Sequence, residues 1–180
     1  KEADLELPLI CMNGAQTYTF DGEILETVSI DISTVNEVAR ILKDNEIYFE
    51  LYTNKGQFST DSDKAKTLLA DIIFSSGHYH SYEEVLEGVN KRFTNGELQF
   101  VTDYESLLNI DSIQFYKLLA FSMDIEKLNK IGDSLKEFRD LAISSSGFAN
   151  MEITNINGQK GLAVERYMNK LGISMKEVMT

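Results

Sequence analysis

The sequence predicts an α+β fold, an antiparallel sheet with helices on one face. Short apolar or alternating runs bounded by Asn-Gly, Asp-Gly and Ser-Gly turns read as strands, and capped amphipathic stretches between them read as helices. A strand–helix–strand–strand pattern occurs twice, flanking a helical insert, and segments that alternate in this way settle as a layered sheet and helices. With 180 residues, 43% apolar and 26% charged, one proline and eleven glycines, the chain has the composition of a domain that builds its own core.

Pro8 to Ala15 reads as a buried strand ending in the turn signal Asn13-Gly14. Thr17 to Phe20 and Glu23 to Ile30 alternate about Asp21-Gly22, a hairpin signal. Thr34 with Glu37 three residues on fits a capping box, and Val35, Val38, Ala39 and Leu42 share one helical face. Ile47 to Thr53 is a strand, and Asn54-Lys55-Gly56 turns it into another around Gln57 to Ser59. From Asp61 to Asn109 the pattern is helical, with a second capping box at Ser81 and Glu84 and a stripe of Val85, Val89 and Phe93. Ile113 to Ser122 reads as a strand and Asp124 as the cap of a helix carrying Ile125, Leu128, Ile131, Leu135 and Phe138 on one side. Leu141 to Ser145 and Ala149 to Thr154 pair about Gly147. Gly158-Gln159-Lys160-Gly161 opens a last helix closed by Gly172, followed by a capped turn at Ser174 and Glu177 and a strand start at Val178-Met179.

The net charge is −12, and the 17 Lys and Arg are scattered rather than gathered, so nucleic acid and anionic membrane surfaces are disfavoured partners. No apolar run approaches the ~20 residues of a membrane helix. The lone Cys11 excludes an internal disulfide and, with only His78 and His80, builds no metal site; it reads as a buried structural thiol in a reducing, cytoplasmic setting.

Three pieces, in this order, resemble the Cof-like (type IIB) branch of the haloacid dehalogenase superfamily. Pro8-Leu9-Ile10-Cys11-Met12-Asn13-Gly14-Ala15 is similar to the core strand and turn that launch the family's cap. Ser145-Ser146-Gly147 leading to Met151-Glu152-Ile153 is similar to the cap's final hairpin. Gly158-Gln159-Lys160-Gly161 through Leu171-Gly172-Ile173 to Glu177-Val178-Met179 is similar to the lysine motif, its helix and the run into the next core strand. The resemblance implies a C2-type cap over residues 16–154, flanked by remnants of a Rossmann-like α/β core at 1–15 and 155–180. It implies a phosphatase that hydrolyses a small phosphate monoester, a sugar phosphate or nucleotide-like cofactor, with Mg²⁺. One aspartate attacks phosphorus and a second serves as acid and base.

The family's Asp-x-Asp-Gly-Thr nucleophile motif and its Gly-Asp-x-x-Asn-Asp metal motif are absent from these 180 residues, so this chain alone is expected to be inactive, with its Mg²⁺ ligands elsewhere. Two look-alikes stand in the wrong setting. Asp21-Gly22 lies in a hairpin turn, and Ile131-Gly132-Asp133-Ser134 lies inside a helical pattern.

Lys160 is the catalytic candidate, because an ammonium beside glycines at a helix start suits a phosphate; without the family it reads as a solvated loop lysine. Asn13, Gly14, Thr53, Asn54, Ser145 and Glu152, with Ser146, are the substrate-binding candidates. Turn chemistry accounts equally for Asn13, Gly14, Thr53, Asn54 and Ser145, and alternation alone would put Glu152 on a solvent face. The other reading of the whole chain is a stand-alone α+β module that binds a ligand or protein without catalysis.

Overall fold

The computed structural model, which describes residues 7–178, contains two sheets. Strands β1 (Leu9–Cys11), β2 (Gln16–Tyr18) and β3 (Ile24–Thr27) form a small antiparallel sheet in that order. Its hairpin turns at Asp21-Gly22, where Gly22 has φ +87° and its N–H donates to the Thr19 carbonyl. Helix α1 (Ile32–Asp44) leads into β4 (Tyr48–Thr53) and β5 (Gly56–Ser59). Helices α2 (Ser62–Ser75) and α3 (Tyr82–Thr94), a short β6 (Gln99–Phe100) and the one-turn α4 (Glu105–Leu108) make up the middle. Then come β7 (Phe115–Phe121), α5 (Ile125–Leu135), β8 (Leu141–Ser144), β9 (Asn150–Asn155) and α6 (Lys160–Leu171), the last capped by Gly172 at φ +70°. The large sheet runs β6-β5-β4-β7-β9-β8 and is antiparallel except for the short β5–β6 pair. The expected strand start at Met179 and the first six residues of the expected core segment lie outside the described residues, while Val178 is extended.

The two α–β–β units are visible as α1-β4-β5 and α5-β8-β9 on either side of the central β7. Their helices share one face of the large sheet. Alternate residues of the central strands (Phe49 and Leu51, Leu118 and Ala120, Met151 and Ile153) meet Val35, Val38 and Leu42 of α1 and Leu128, Ile131 and Leu135 of α5. Helices on one face is therefore correct for the repeated units and incomplete for the molecule. The insert covers part of the other face, where Tyr48, Tyr52, Leu119 and Phe121 pack on Ala65, Leu69 and Ala70 of α2 and Val85 and Val89 of α3. The α2 and α3 stripes need an apolar partner, and this second set of strand residues supplies it.

Three smaller expectations change. The α1 cap is Asp31, not Thr34: Asp31 is extended and its carboxylate accepts from the Ser33 N–H at 2.8 Å, whereas the Thr34 hydroxyl donates to Asp140 at 3.0 Å. The strand expected through Ile30 stops at Thr27, and Ile30 crosses to the large sheet by a single bridge to Phe115. Cys11 is half-buried rather than enclosed.

Candidate active site

The residues gathered at one end of the large sheet come from distant parts of the chain, and backbone geometry brings them there. Met12, Asn13 and Gly14 all have positive φ, at 49°, 61° and 112°. Asn tolerates this region and Met does not favour it, so the turn is held by what surrounds it. Gly14 makes the closest contact. A Cβ on it would lie 2.5 Å from the Gln159 carbonyl carbon and 2.7 Å from the Lys160 nitrogen, so the turn sits directly on the peptide that starts α6.

Strand register supplies the other wall. Lys117 pairs with Thr154 and Thr154 with Ala142; Leu119 pairs with Glu152 and Glu152 with Ser144. These side chains share the sheet face that carries the insert; Leu119 belongs to the apolar cluster under α2 and α3, and Lys117, Glu152, Ser144 and Thr154 lie beside it on the β7-β9-β8 side. The Glu152 carboxylate accepts from the Asn13 amide, from the Ser146 hydroxyl at 3.0 Å and from the Lys117 ammonium at 3.5 Å. Lys117 also reaches Asn13 Oδ1 at 3.4 Å and stands 4.6 Å from the centre of the Tyr52 ring. The Lys117 and Glu152 side chains are only 10% and 11% exposed.

Beside this cluster lies a cleft of about 380 Å³ lined by Asn13, Ser144, Thr154, Gln159, Lys160 and Gly161, together with the β8 edge. Lys160 is the first residue of α6 and Gln159 gives the helix no side-chain cap. The first-turn N–H groups and the ammonium therefore concentrate positive charge at one place, an arrangement suited to an oxyanion.

Asn13 and Lys160, read from the sequence as candidates, thus line one cleft, with Gly14 behind them and Glu152, which accepts from Asn13 and Ser146, beside it. Thr53, Asn54 and Ser145 have their polar groups engaged elsewhere. Thr53 Oγ1 donates to the Gly56 carbonyl at 2.9 Å, Asn54 ties the β4–β5 turn to Ser112 and Gln114, and Ser145 Oγ donates to the Gly147 carbonyl at 2.6 Å. Lys117 was not anticipated. Its signal is a single charge inside the apolar run Phe115–Phe121, which the alternation pattern absorbs.

Farther along the same face Glu50 is fully buried and accepts from Tyr48, Tyr52 and, at 2.8 Å, Arg92 of α3. Burial first, and the Glu50 charge second, push the Tyr52 hydroxyl far above its ordinary range, which keeps it a donor. A larger cleft of about 510 Å³ lies between α1 and α4 on the other side of the sheet; none of the sequence candidates lines it. The described residues do not fit a magnesium site: among them no three carboxylate, histidine or cysteine side chains come together. Nor is any of their helices long and apolar enough to cross a membrane.

The family model of the haloacid dehalogenase-like hydrolases matches residues 1–180. This chain belongs to that family. Among curated proteins, 5-amino-6-(5-phospho-D-ribitylamino)uracil phosphatase YwtE of Bacillus subtilis is 27% identical over 176 residues, which is 97% of this chain and 61% of that protein. Phosphatase YwpJ of the same organism is 23% identical over 171 residues, 94% of this chain and 60% of its own length. The chain thus spans about three fifths of the curated relatives it matches. Among solved structures, a haloacid dehalogenase-like hydrolase from B. subtilis superposes with a TM-score of 0.82 at 21% identity, covering 98% of this chain and 62% of that one. The subclass IIB sugar phosphatase BT4131 superposes at 0.67 with 15% identity, covering 98% and 57%. Haloacid dehalogenase-like membership accounts for the fold and agrees with the three motifs from which the resemblance was drawn.

Proposed function

We propose that this chain supplies the substrate-selecting cap, residues 16–154, and the flanking core segments 1–15 and 155–180 of a Mg²⁺-dependent phosphatase acting on a small phosphate monoester, a sugar phosphate or nucleotide-like cofactor, in the cytoplasm. The observation that carries the proposal is that Asn13, from a turn, and Lys160, from a helix start, line one cleft, with Glu152 of the sheet joined to it through its bond from Asn13. In this reading Lys160 and the α6 N-terminus hold phosphoryl oxygens, and Asn13 and Glu152 face the leaving group. Gly14 lets the turn carrying Asn13 close onto α6. Mg²⁺, when bound, would supply neutralisation of phosphoryl charge; its ligands and the nucleophilic aspartate would come from outside the described residues.

The test uses the full-length gene product that carries this chain. With Mg²⁺ it should hydrolyse p-nitrophenyl phosphate, and Lys160→Ala should lower kcat by about a hundredfold or more, as for the loss of a preorganised charge on an oxyanion. Undiminished turnover in that variant removes Lys160 from the reaction. The 180-residue chain alone should show no turnover; clear hydrolysis by it overturns the division of labour proposed here. A full-length protein that hydrolyses no phosphate monoester would favour the binding-module reading.

A further inference from the structure

Lys117 is the one charged group at this site that the proposed roles leave unused, and its contacts differ from those of an ordinary buried ion pair. On the same sheet face Arg92 of α3 and Glu50 of β4 close to 2.8 Å. Lys117 and Glu152, both almost wholly buried, stay 3.5 Å apart, and the second acceptor of Lys117, Asn13 Oδ1, is at 3.4 Å. Charge-assisted hydrogen bonds from nitrogen ordinarily settle near 2.7–2.9 Å. A desolvated ammonium with three donors and, among the described residues, two long contacts keeps room for a further acceptor. The Tyr52 ring face supports the charge without using a donor. Glu152 accepts from two groups on Oε1 and one on Oε2, which orients the cluster and leaves one acceptor position free.

We propose that Lys117 is a specificity-determining residue: with Glu152 it forms a donor–acceptor pair that reads adjacent hydroxyl groups on the leaving group of the substrate. The inference rests on the phosphatase reading above. The charge balance decides what the pair fits. One ammonium and one carboxylate sum to zero, and the remaining neighbours Asn13, Ser146 and Thr154 are neutral, so nothing here offsets a second phosphate or carboxylate. A hydroxyl both donates and accepts. One hydroxyl can accept from Lys117 while its neighbour donates to Glu152, and Asn13 places the pair beside the cleft that holds Lys160.

The experiment compares kcat/KM of the full-length enzyme for a sorbitol monophosphate, rich in hydroxyls, and for p-nitrophenyl phosphate, which has none on its leaving group. Lys117→Met should reduce the ratio of the first to the second by roughly tenfold or more, chiefly by raising KM for the polyol substrate, because a site built for a hydroxyl loses most when its partner is removed. Lys117→Arg, which keeps the charge and the donors, should restore part of the ratio. Where Lys117→Met does not fold, the charge-neutral double variant Lys117→Met/Glu152→Gln should show the same fall. A ratio unchanged in every folded variant, or an equal loss on both substrates, overturns the assignment while leaving the phosphatase reading intact. A wild-type enzyme that hydrolyses neither substrate refutes both.

Discussion

Gly14 and Glu50 show how much single positions carry in this molecule, and they do so differently. Gly14 combines a left-handed φ with a backbone contact that leaves no room for a methyl group, so Gly14→Ala should destabilise the protein by about 2 kcal/mol or more, read from the shift of the urea midpoint. An unchanged midpoint would show that the turn relaxes away from Gln159. Glu50 has no exposed surface and serves two tyrosine hydroxyls and Arg92 at once. Glu50→Ala should cost about 3 kcal/mol, the low end for a broken buried pair because the Arg92 side chain remains 27% exposed. Combining it with Arg92→Met should recover part of that loss, since the stranded charge is then gone. Asn13-Gly14 was legible in the sequence as a turn, and a turn is what forms. That the turn would sit on the Gln159–Lys160 peptide was not legible, because that contact spans more than 140 residues and leaves no local pattern.

Elements were legible where a cap or turn residue marks them. Asp124, Ser174 and Gly172 cap as their types and spacing suggest, Ser81 caps by accepting the Glu84 N–H without the return bond of the expected capping box, and both Asp-Gly or Gly-Asp look-alikes of catalytic motifs fall where their context placed them, in a turn and in α5. The first helix shows the limit. Asp31 and Thr34 both fit as caps, and only the extended backbone at Asp31 and the long-range bond from Thr34 to Asp140 separate them. The face chosen by α2 and α3 was likewise hidden, since a stripe says that a helix packs and not against which side of a sheet. The Asp31 cap also carries a pH signature. The hydrogen bond from the Ser33 hydroxyl, then that from its backbone N–H, holds the Asp31 carboxyl below its ordinary value. A carboxyl lowered by folding stabilises the fold above its unfolded pKa, near 3.9, and loses that contribution as pH falls through the lower folded value. Asp31→Ala should therefore melt below wild type at neutral pH, with the gap closing in acid under pH ~3.9. A gap that persists at the lowest pH would assign the effect to something other than the charged cap.

At the scale of the molecule, several polar ties link the two sheets, beside the Met12 side chain, which packs on the apolar cluster of the large sheet and insert. Ile30 bridges to Phe115, Gln16 donates to the Tyr116 hydroxyl at 2.9 Å, Asn155 donates to the Ser29 carbonyl at 2.9 Å, and Asn13 reaches Glu152. The site lies along this seam, so whatever fixes the seam also fixes the distance between Lys160 and the large sheet. Asn13→Ala removes the tie that touches the site itself. A hydrogen bond to a charged group contributes about 1.5–3 kcal/mol, which corresponds to roughly a tenfold to hundredfold rise in local opening. Hydrogen exchange should show that rise at Ala15 and Val28, whose amides bond to Met12 and to Ala15 across the turn, while the amides of β4 and β7 keep their protection. Faster exchange spread evenly through both sheets would mean that Asn13 supports the whole fold rather than the seam, and unchanged exchange at Ala15 and Val28 would mean that Gly14 on Gln159 is enough to hold it.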